Sequence, residues 1–360
     1  MSGKTLKYAF LVKWIKQEIA KNQMNAGERF YSETELAEKF QMSRQTVRHA
    51  VGILEQAGYL ERRRGSGTYV SYGGPSSKRD LTKTIGVITT YLDSYIFPNI
   101  IRGIDKVLVD SGYTMQLSLT HNKIENESSA LKLLMQKNVD GLIVEPTKSG
   151  LYNPNRTLYD EIFRQNKPLI FFNSYYPDMN YPKVCMDDYL AGNLATRCLI
   201  DAGHIRIAGI FQSDDAQGHR RYSGYVDALN ESGLAFQSSN ILWFTTEDIP
   251  YISQDFDRVE RCLEGCTGVV CYNDQIAYTI VSALRSRSIS VPDDISVVGV
   301  DNAELTTMCE VQLTTLNHPK EKLGEMAAQN ILRLIQDPNF DANVIFEPEL
   351  VKRSSVKELK

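Results

Sequence analysis

The chain has 360 residues, with 40 lysines and arginines against 44 aspartates and glutamates, for a formal net charge of −4. Hydrophobic residues make up 42% and charged residues 23%, ordinary globular usage, and no apolar run approaches the ~20 residues of a membrane span. These values exclude transmembrane and collagen-like classes, and at roughly 100–200 residues per domain the length suggests two or three domains. Lys4, Lys7, Lys13, Lys16 and Lys21 interrupt the first thirty residues. No secretory signal is therefore expected there; the chain should be cytoplasmic, with no membrane partner. The six cysteines (185, 198, 262, 266, 271, 309) form no Cys-x-x-Cys pair, and Cys262, Cys266 and Cys271 have no His neighbour, so buried reduced thiols are expected rather than a metal site.

The overall charge hides an asymmetry. Residues 1–79 hold fourteen lysines and arginines against seven acids, so the first module is basic and the remainder acidic. A small basic module on a large acidic one suggests a polyanion partner for the first. Tyr8, Leu11, Val12, Ile15 and Ile19 recur at helical spacing. Ser32-Glu33-Thr34-Glu35 then reads as a capping box opening a second helix, with Leu36, Ala37 and Phe40 on its apolar face. Ser43 can cap a third helix bearing Val47, Ala50, Val51 and Leu54 and ending at Gly58. Two short helices joined by a tight turn make a helix-turn-helix. The second opens with Arg44-Gln45-Thr46, and guanidinium and carboxamide groups suit base edges. Residues 59–64 and 68–72 flank Gly65-Ser66-Gly67, predicting a hairpin whose Arg62, Arg63 and Arg64 lead into its tip. That hairpin is the expected wing against the DNA backbone or minor groove.

The arrangement of Ser32-Glu33, Glu35-Leu36-Ala37, Phe40, Ser43-Arg44, Thr46-Val47-Arg48, Leu54, Gly58, Leu60 and Gly65-x-Gly67-Thr68-Tyr69-Val70 resembles the GntR-type DNA-binding domain over most of residues 6–71. The resemblance implies DNA contacts at Arg44, Thr46, Arg48 and the Gly67 wing tip. The full expected set is Ser32, Glu33, Ser43, Arg44, Gln45, Thr46, Arg48, Arg64, Gly65, Ser66 and Gly67, on double-stranded operator DNA. Tyr31 departs from the family, which usually has Pro before the Ser-Glu pair.

Residues 72–83, with Gly73-Gly74-Pro75, have the composition of a hinge between a DNA-binding domain at 1–71 and a second module at 84–360. From Thr84 strands alternate with helices. Strands are predicted at 84–90, 115–120, 139–145, 168–173, 205–211, 241–244, 269–272 and 295–300. Helices are predicted at 98–112, 125–137, 190–202, 221–232 and about 275–287. Near-continuous apolar strands separated by helices indicate an α/β fold of doubly wound parallel sheets, here in two lobes with a cleft between.

Ligands sit beyond the carboxyl ends of such strands. Those ends carry Thr90-Tyr91, Glu145, Asn173, Gln212, Asp214, Asp215, Asn273-Asp274, Asp301 and His318, with Arg221 opening a helix nearby. Carboxylates, carboxamides and an arginine, with aromatic faces from Tyr91, Tyr95 and Phe97, suit a small neutral polyol whose hydroxyls both donate and accept.

Gly141-Leu142-Ile143-Val144-x-Pro146, Asp187-Asp188-Tyr189-x-Ala191-Gly192, Arg221-x-x-Gly224-Tyr225, Tyr272-Asn273-Asp274 and Val291-Pro292-x-Asp294-Ile295-Ser296-Val297-Val298-Gly299-x-Asp301 resemble the LacI/GalR effector domain. The likeness runs from about residue 85 to 353 and implies a periplasmic-binding-protein fold, homodimers and repression. Carried over, it puts inducer contacts at Glu145, Asn173, Arg221, Asn273, Asp301 and His318. Stretches at 89–91, 95–98, 144–149 and 345–350 are similar to the arabinose-utilisation repressors that join these two modules. That implies L-arabinose as effector and no cofactor; composition and spacing alone give a small polar ligand, and another pentose, a hexose or a nucleobase stays open. An enzyme is not expected. Gly-x-Ser-x-Gly, His-Glu-x-x-His and phosphate-loop motifs are absent, and His318, the most exposed candidate base, lacks a nucleophile partner in sequence. The fused basic head argues against a transport binding protein.

Overall fold

The computed structural model describes residues 3–22, 24, 27–56, 58–63, 66–71, 81–92, 95–308 and 310–359. Arg64, Gly65, the linker residues 72–80 and Cys309 lie outside the described residues. The first module is α1 (Gly3–Lys21), α2 (Glu33–Phe40), α3 (Arg44–Gln56) and an antiparallel hairpin of β1 (Leu60–Arg63) and β2 (Gly67–Val70). Leu11, Ile15 and Ile19 of α1 meet Leu36 of α2, Val47, Ala50, Val51 and Leu54 of α3, and Leu60 and Val70 of the hairpin in one buried core. The capping box forms: Ser32 Oγ accepts from Glu35 N at 3.2 Å, and Glu35 Oε2 accepts from Ser32 N at 2.6 Å. The result is a winged helix-turn-helix.

The second module is built of two lobes. The first holds β3 (Thr84–Thr89), α4 (Phe97–Asp110), β4 (Thr114–Leu119), α5 (Ile124–Gln136), β5 (Gly141–Val144), α6 (Arg156–Arg164), β6 (Leu169–Asn173) and β7 (Lys183–Met186). The second holds α7 (Asp188–Asp201), β8 (Ile207–Gln212), α8 (Ala216–Glu231), β9 (Ile241–Phe244), α9 (Phe256–Leu263), β10 (Gly268–Cys271), α10 (Asp274–Arg285), β11 (Ser296–Asp301), α11 (Leu305–Met308) and β12 (Thr314–Asn317). The chain then returns to the first lobe with α12 (Lys320–Gln336) and β13 (Val344–Phe346), and ends on the second with β14 (Glu349–Val351). Among the described residues the sheets run β13-β7-β6-β5-β3-β4 and β14-β12-β11-β10-β8-β9, parallel except for the β12–β14 pair. Strands such as Leu169–Asn173 and Ser296–Asp301 are buried along their whole length because helices cover both faces of each sheet.

Strand order reverses between β3 and β5 in one sheet and between β8 and β10 in the other, the switch points where α/β sheets open a crevice. One close approach matters for the site. A Cβ on Gly192 of α7 would lie 2.0 Å from Arg221 O, and one on Gly224 of α8 would lie 2.0 Å from Tyr189 O. Glycine lets α7 and α8 touch backbone to backbone, and this sets Asp188 beside Arg221. Among the described residues no helix is long and apolar enough to cross a membrane.

Candidate functional site

Ser43 Oγ caps α3, accepting from Thr46 N at 3.2 Å and lying 2.8 Å from Thr46 Oγ1. Ser32 and Ser43 thus spend their hydroxyls on helix ends, while Arg44 and Gln45 stand exposed on the first turn of α3. Arg48, one turn on, is exposed and donates from Nε to Glu33 Oε2 at 3.2 Å. The wing expectation needs a correction at Arg62. Its guanidinium pairs with Glu33 at 3.0 Å and Glu55 at 3.3 Å and donates to Arg48 O, so it ties α2, α3 and β1 together. Two carboxylates hold its guanidinium against α2 and α3, although the side chain stays 37% exposed. Arg63 packs over the Tyr69 ring, and Ser66 Oγ meets Tyr69 OH at 2.6 Å. Gly67 turns the hairpin at φ +121°, a conformation open to glycine.

The second site is a cavity of about 310 Å³ between the lobes, at the small end of ligand pockets. Tyr91, Tyr95, Phe97, Glu145, Asn173, Arg221, Asn273 and Asp301 all line it. Asn273 also caps α10, its Oδ1 accepting from Ile276 N. Tyr91 leans on the Phe97 ring at the cavity wall.

Glu145 closes one end. Its Oε2 accepts from Thr89 Oγ1, Thr90 N and Thr90 Oγ1 at 2.7–2.8 Å, and its Oε1 accepts from Asn173 Nδ2 at 2.9 Å. Burial pushes its carboxyl up to about 7, against the pull of those four bonds. Behind it, His318 Nε2 lies 3.2 Å from Asn173 Oδ1, which places the proton on Nε2. Here two expectations are corrected. His318 is fully buried rather than exposed, and it sits behind Asn173 instead of lining the cavity, because β12 ends at Asn317 and the chain dives back to the first lobe. Burial, with Lys320 and Arg221 adding to it, lowers its pKa to about 3, so the ring is neutral.

Arg221 is the second correction of place. It does not open α8: Asp215 caps that helix by accepting from Gln217 N, and Arg221 follows in the second turn. Its Nε and Nη2 hold Asp188 Oδ1 at 2.9 and 2.8 Å, its Nη1 donates to Tyr272 O at 2.5 Å, and Asp301 Oδ1 lies 3.6 Å from Nη2. Burial raises Asp188 to about 6, with Arg221 opposing. Asp301 Oδ1 takes no hydrogen bond among the described residues. A buried acceptor beside a guanidinium, on a residue lining the cavity, is suited to a ligand hydroxyl.

Sequence reasoning missed Ser149, Ser174, Gln217, Lys148 and Asn122. Asp215 Oδ1 accepts from Ser149 Oγ at 2.7 Å and Ser174 Oγ at 3.3 Å, and Oδ2 accepts from Tyr272 OH. At the mouth, Asn122 Nδ2 reaches Thr246 Oγ1 at 2.6 Å, and Lys148 Nζ reaches Glu247 at 2.5 Å and Asp214 at 3.6 Å. Ser174 directly follows the end of β6, and the others lie three to five positions beyond their strand ends, so extending the strand-end rule by five residues would have found them. The lining carries Glu145, Asp215 and Asp301 against Lys148 and Arg221. No excess of positive charge awaits an anion.

The carboxyls also set a pH dependence. Between the ordinary 4.5 and about 7 the unfolded chain ionises Glu145 and the folded one does not. Its contribution to stability therefore falls as pH rises through that window and is level above it. Asp274, raised from 3.8 to about 8 by burial and the Asp301 charge, acts in the same direction. Denaturant unfolding of the full chain should show Glu145→Gln narrowing the stability difference between pH 5 and pH 7.5 relative to wild type. An equal difference in both proteins would remove Glu145 as a source.

Comparison with known proteins gives two family matches. Residues 7–70 match the model for bacterial regulatory proteins of the gntR family, and residues 196–356 match a periplasmic binding protein-like domain. The chain is 39% identical to the arabinose metabolism transcriptional repressor of Geobacillus stearothermophilus over all of both chains. It is 38% identical to that of Halalkalibacterium halodurans, over 98% of this chain and 97% of the other. The transcription regulator CcpA of Lactococcus lactis superposes with a TM-score of 0.67 at 26% identity, over 76% of this chain and 99% of that one.

Proposed function

The chain belongs to the family of arabinose metabolism transcriptional repressors, and we propose that the sugar to which this repressor responds is L-arabinose. The observation that carries the reading is the interlobe cavity. It is small, has no surplus of cations, and offers carboxylates and carboxamides beside the Tyr91 and Phe97 rings. Such a lining fits a neutral polyol and disfavours phosphorylated or carboxylated sugars. Effector contacts are assigned to Tyr91, Phe97, Glu145, Asn173, Arg221, Asn273 and Asp301, with the Tyr95 ring lining the cavity while its hydroxyl is engaged by Asp301, and with His318 acting through Asn173.

Residues 1–71 would bind operator DNA, 72–83 would link, and 84–360 would hold sugar and pair two chains in the cytoplasm. A homodimer places two recognition helices on a two-fold site at a fixed half-site spacing. Sugar closes the cleft and favours a lobe arrangement in which that spacing is lost. Coupling of this kind is reciprocal: a tenfold loss of operator affinity on adding sugar requires a tenfold loss of sugar affinity on adding operator, about 1.4 kcal/mol. Operator titrations of the full chain with and without L-arabinose, D-xylose, D-ribose and D-galactose test the reading. L-Arabinose should weaken binding at least tenfold, and two chains should bind each operator. Equal affinity in all conditions, or a response to a different sugar alone, would overturn the assignment.

A further inference from the structure

Tyr95 does more than offer a ring to the cavity. It belongs to the first lobe, yet its hydroxyl donates to Asp301 Oδ2 of the second lobe at 2.7 Å and lies 3.1 Å from Val300 O. The same oxygen accepts from Asp274 N at 3.0 Å. Asp274 is the first residue of α10, so this amide is one of the donors a helix leaves without a partner of its own. One phenol therefore satisfies a helix end and one oxygen of a buried carboxylate, both across the cleft.

Both ends of the contact are strained. Tyr95 has φ +71° and Asp301 φ +110°, and neither is glycine. A bulky side chain holds such a backbone only where surrounding contacts over-determine it, and such outliers cluster at ligand clamps and switches. The contact also fixes which oxygen of Asp301 is taken. Tyr95 occupies Oδ2, leaving Oδ1 as the acceptor without a donor, 3.6 Å from Arg221 Nη2.

We infer that Tyr95 is a positioning residue that latches the two lobes through Asp301, so that a sugar hydroxyl and the Tyr95 hydroxyl share one carboxylate in the closed cleft. This rests on the sugar-site reading above. Closure makes the Tyr95 bond and sugar binding makes closure, so each supports the other. Losing the hydroxyl leaves Asp301 Oδ2 and the Asp274 amide buried without that partner, a penalty borne by the closed form. Operator binding without sugar draws on the winged helix and the open arrangement, and bears none of it.

Tyr95→Phe in the full chain tests this, since it keeps the ring and removes only the hydroxyl. Calorimetry with L-arabinose should show affinity reduced at least tenfold, and half-release from operator should need at least tenfold more sugar. Operator affinity without sugar should match or exceed that of wild type, and hydrogen exchange at the Asp274 amide should quicken. Sugar affinity within twofold of wild type would overturn the latch while leaving the sugar site intact. Parallel losses in sugar-free operator affinity and in sugar affinity would overturn it in favour of a merely structural contact. A wild-type chain that binds none of the sugars would instead refute the sugar-site reading, and the latch with it.

Discussion

Arg221→Ala is expected to lower the stability of the two-lobed module by about 3–5 kcal/mol, the usual cost of removing one member of a buried ion pair. Arg221 and Asp188 are each almost wholly buried, and Asp188 lies against Asp301 and Asp215, whose charges already oppose its own. Without the guanidinium, Asp188 must either stay charged while buried beside two other carboxyls or take up a proton. The backbone loses a donor as well, since Nη1 satisfies Tyr272 O at the end of β10. Arg221→Lys separates the two roles. An ammonium restores charge beside Asp188 but cannot reach Asp188, Tyr272 O and a ligand together, as the planar fork can. Denaturant unfolding should place the lysine variant near wild type and the alanine variant well below it, while neither responds to L-arabinose. An alanine variant as stable as wild type would show that the pair contributes nothing to the fold.

Much of this was legible because it is local. The winged helix follows from a capping box at Ser32 and Glu35, an apolar stripe at Val47, Ala50, Val51 and Leu54, and a Gly-x-Gly turn, each confined to a dozen residues. Parallel strands announce themselves as apolar runs, and their carboxyl ends gave Glu145, Asn173, Asn273 and Asp301 at the cavity. Elements that depend on partners far away in sequence were not legible. β7 is four residues long, and α6 buries only Tyr159 and Ile162, so neither stands out by pattern. α12 carries Leu323, Ala327, Ala328, Ile331 and Leu334 at helical spacing, but nothing local says that it crosses back to pack on α4. Depth escaped for the same reason. A strand-end position does not tell His318, behind Asn173, from Asp301, at the wall. Nor does it reveal that Tyr95 bonds a carboxylate 206 positions away.

At the other module the largest effects are expected from the first turns of α3. Arg44 stands exposed and makes no ion pair among the described residues, so its guanidinium is free for a base edge or phosphate. Arg48 is held by Glu33, but an exposed pair of this kind is worth about 0–1 kcal/mol, far less than a good DNA contact supplies. Glu33 can therefore aim Arg48 without withholding it. Alanine at either position should weaken operator binding by about 1–3 kcal/mol. The two can be told apart by salt: loss of a phosphate contact lowers the salt slope by about one, whereas loss of a base contact relaxes sequence preference at one position. Arg62→Ala should behave differently from both. Its guanidinium pairs with Glu33 and Glu55 and bonds Arg48 O, so its removal should loosen the packing of α2, α3 and the hairpin. Thermal unfolding of the winged helix should then fall with Arg62→Ala and hold with Arg44→Ala, while operator titrations at fixed salt show the Arg44 loss. If Arg44→Ala and Arg48→Ala both bind operator as wild type does, α3 is not the recognition helix.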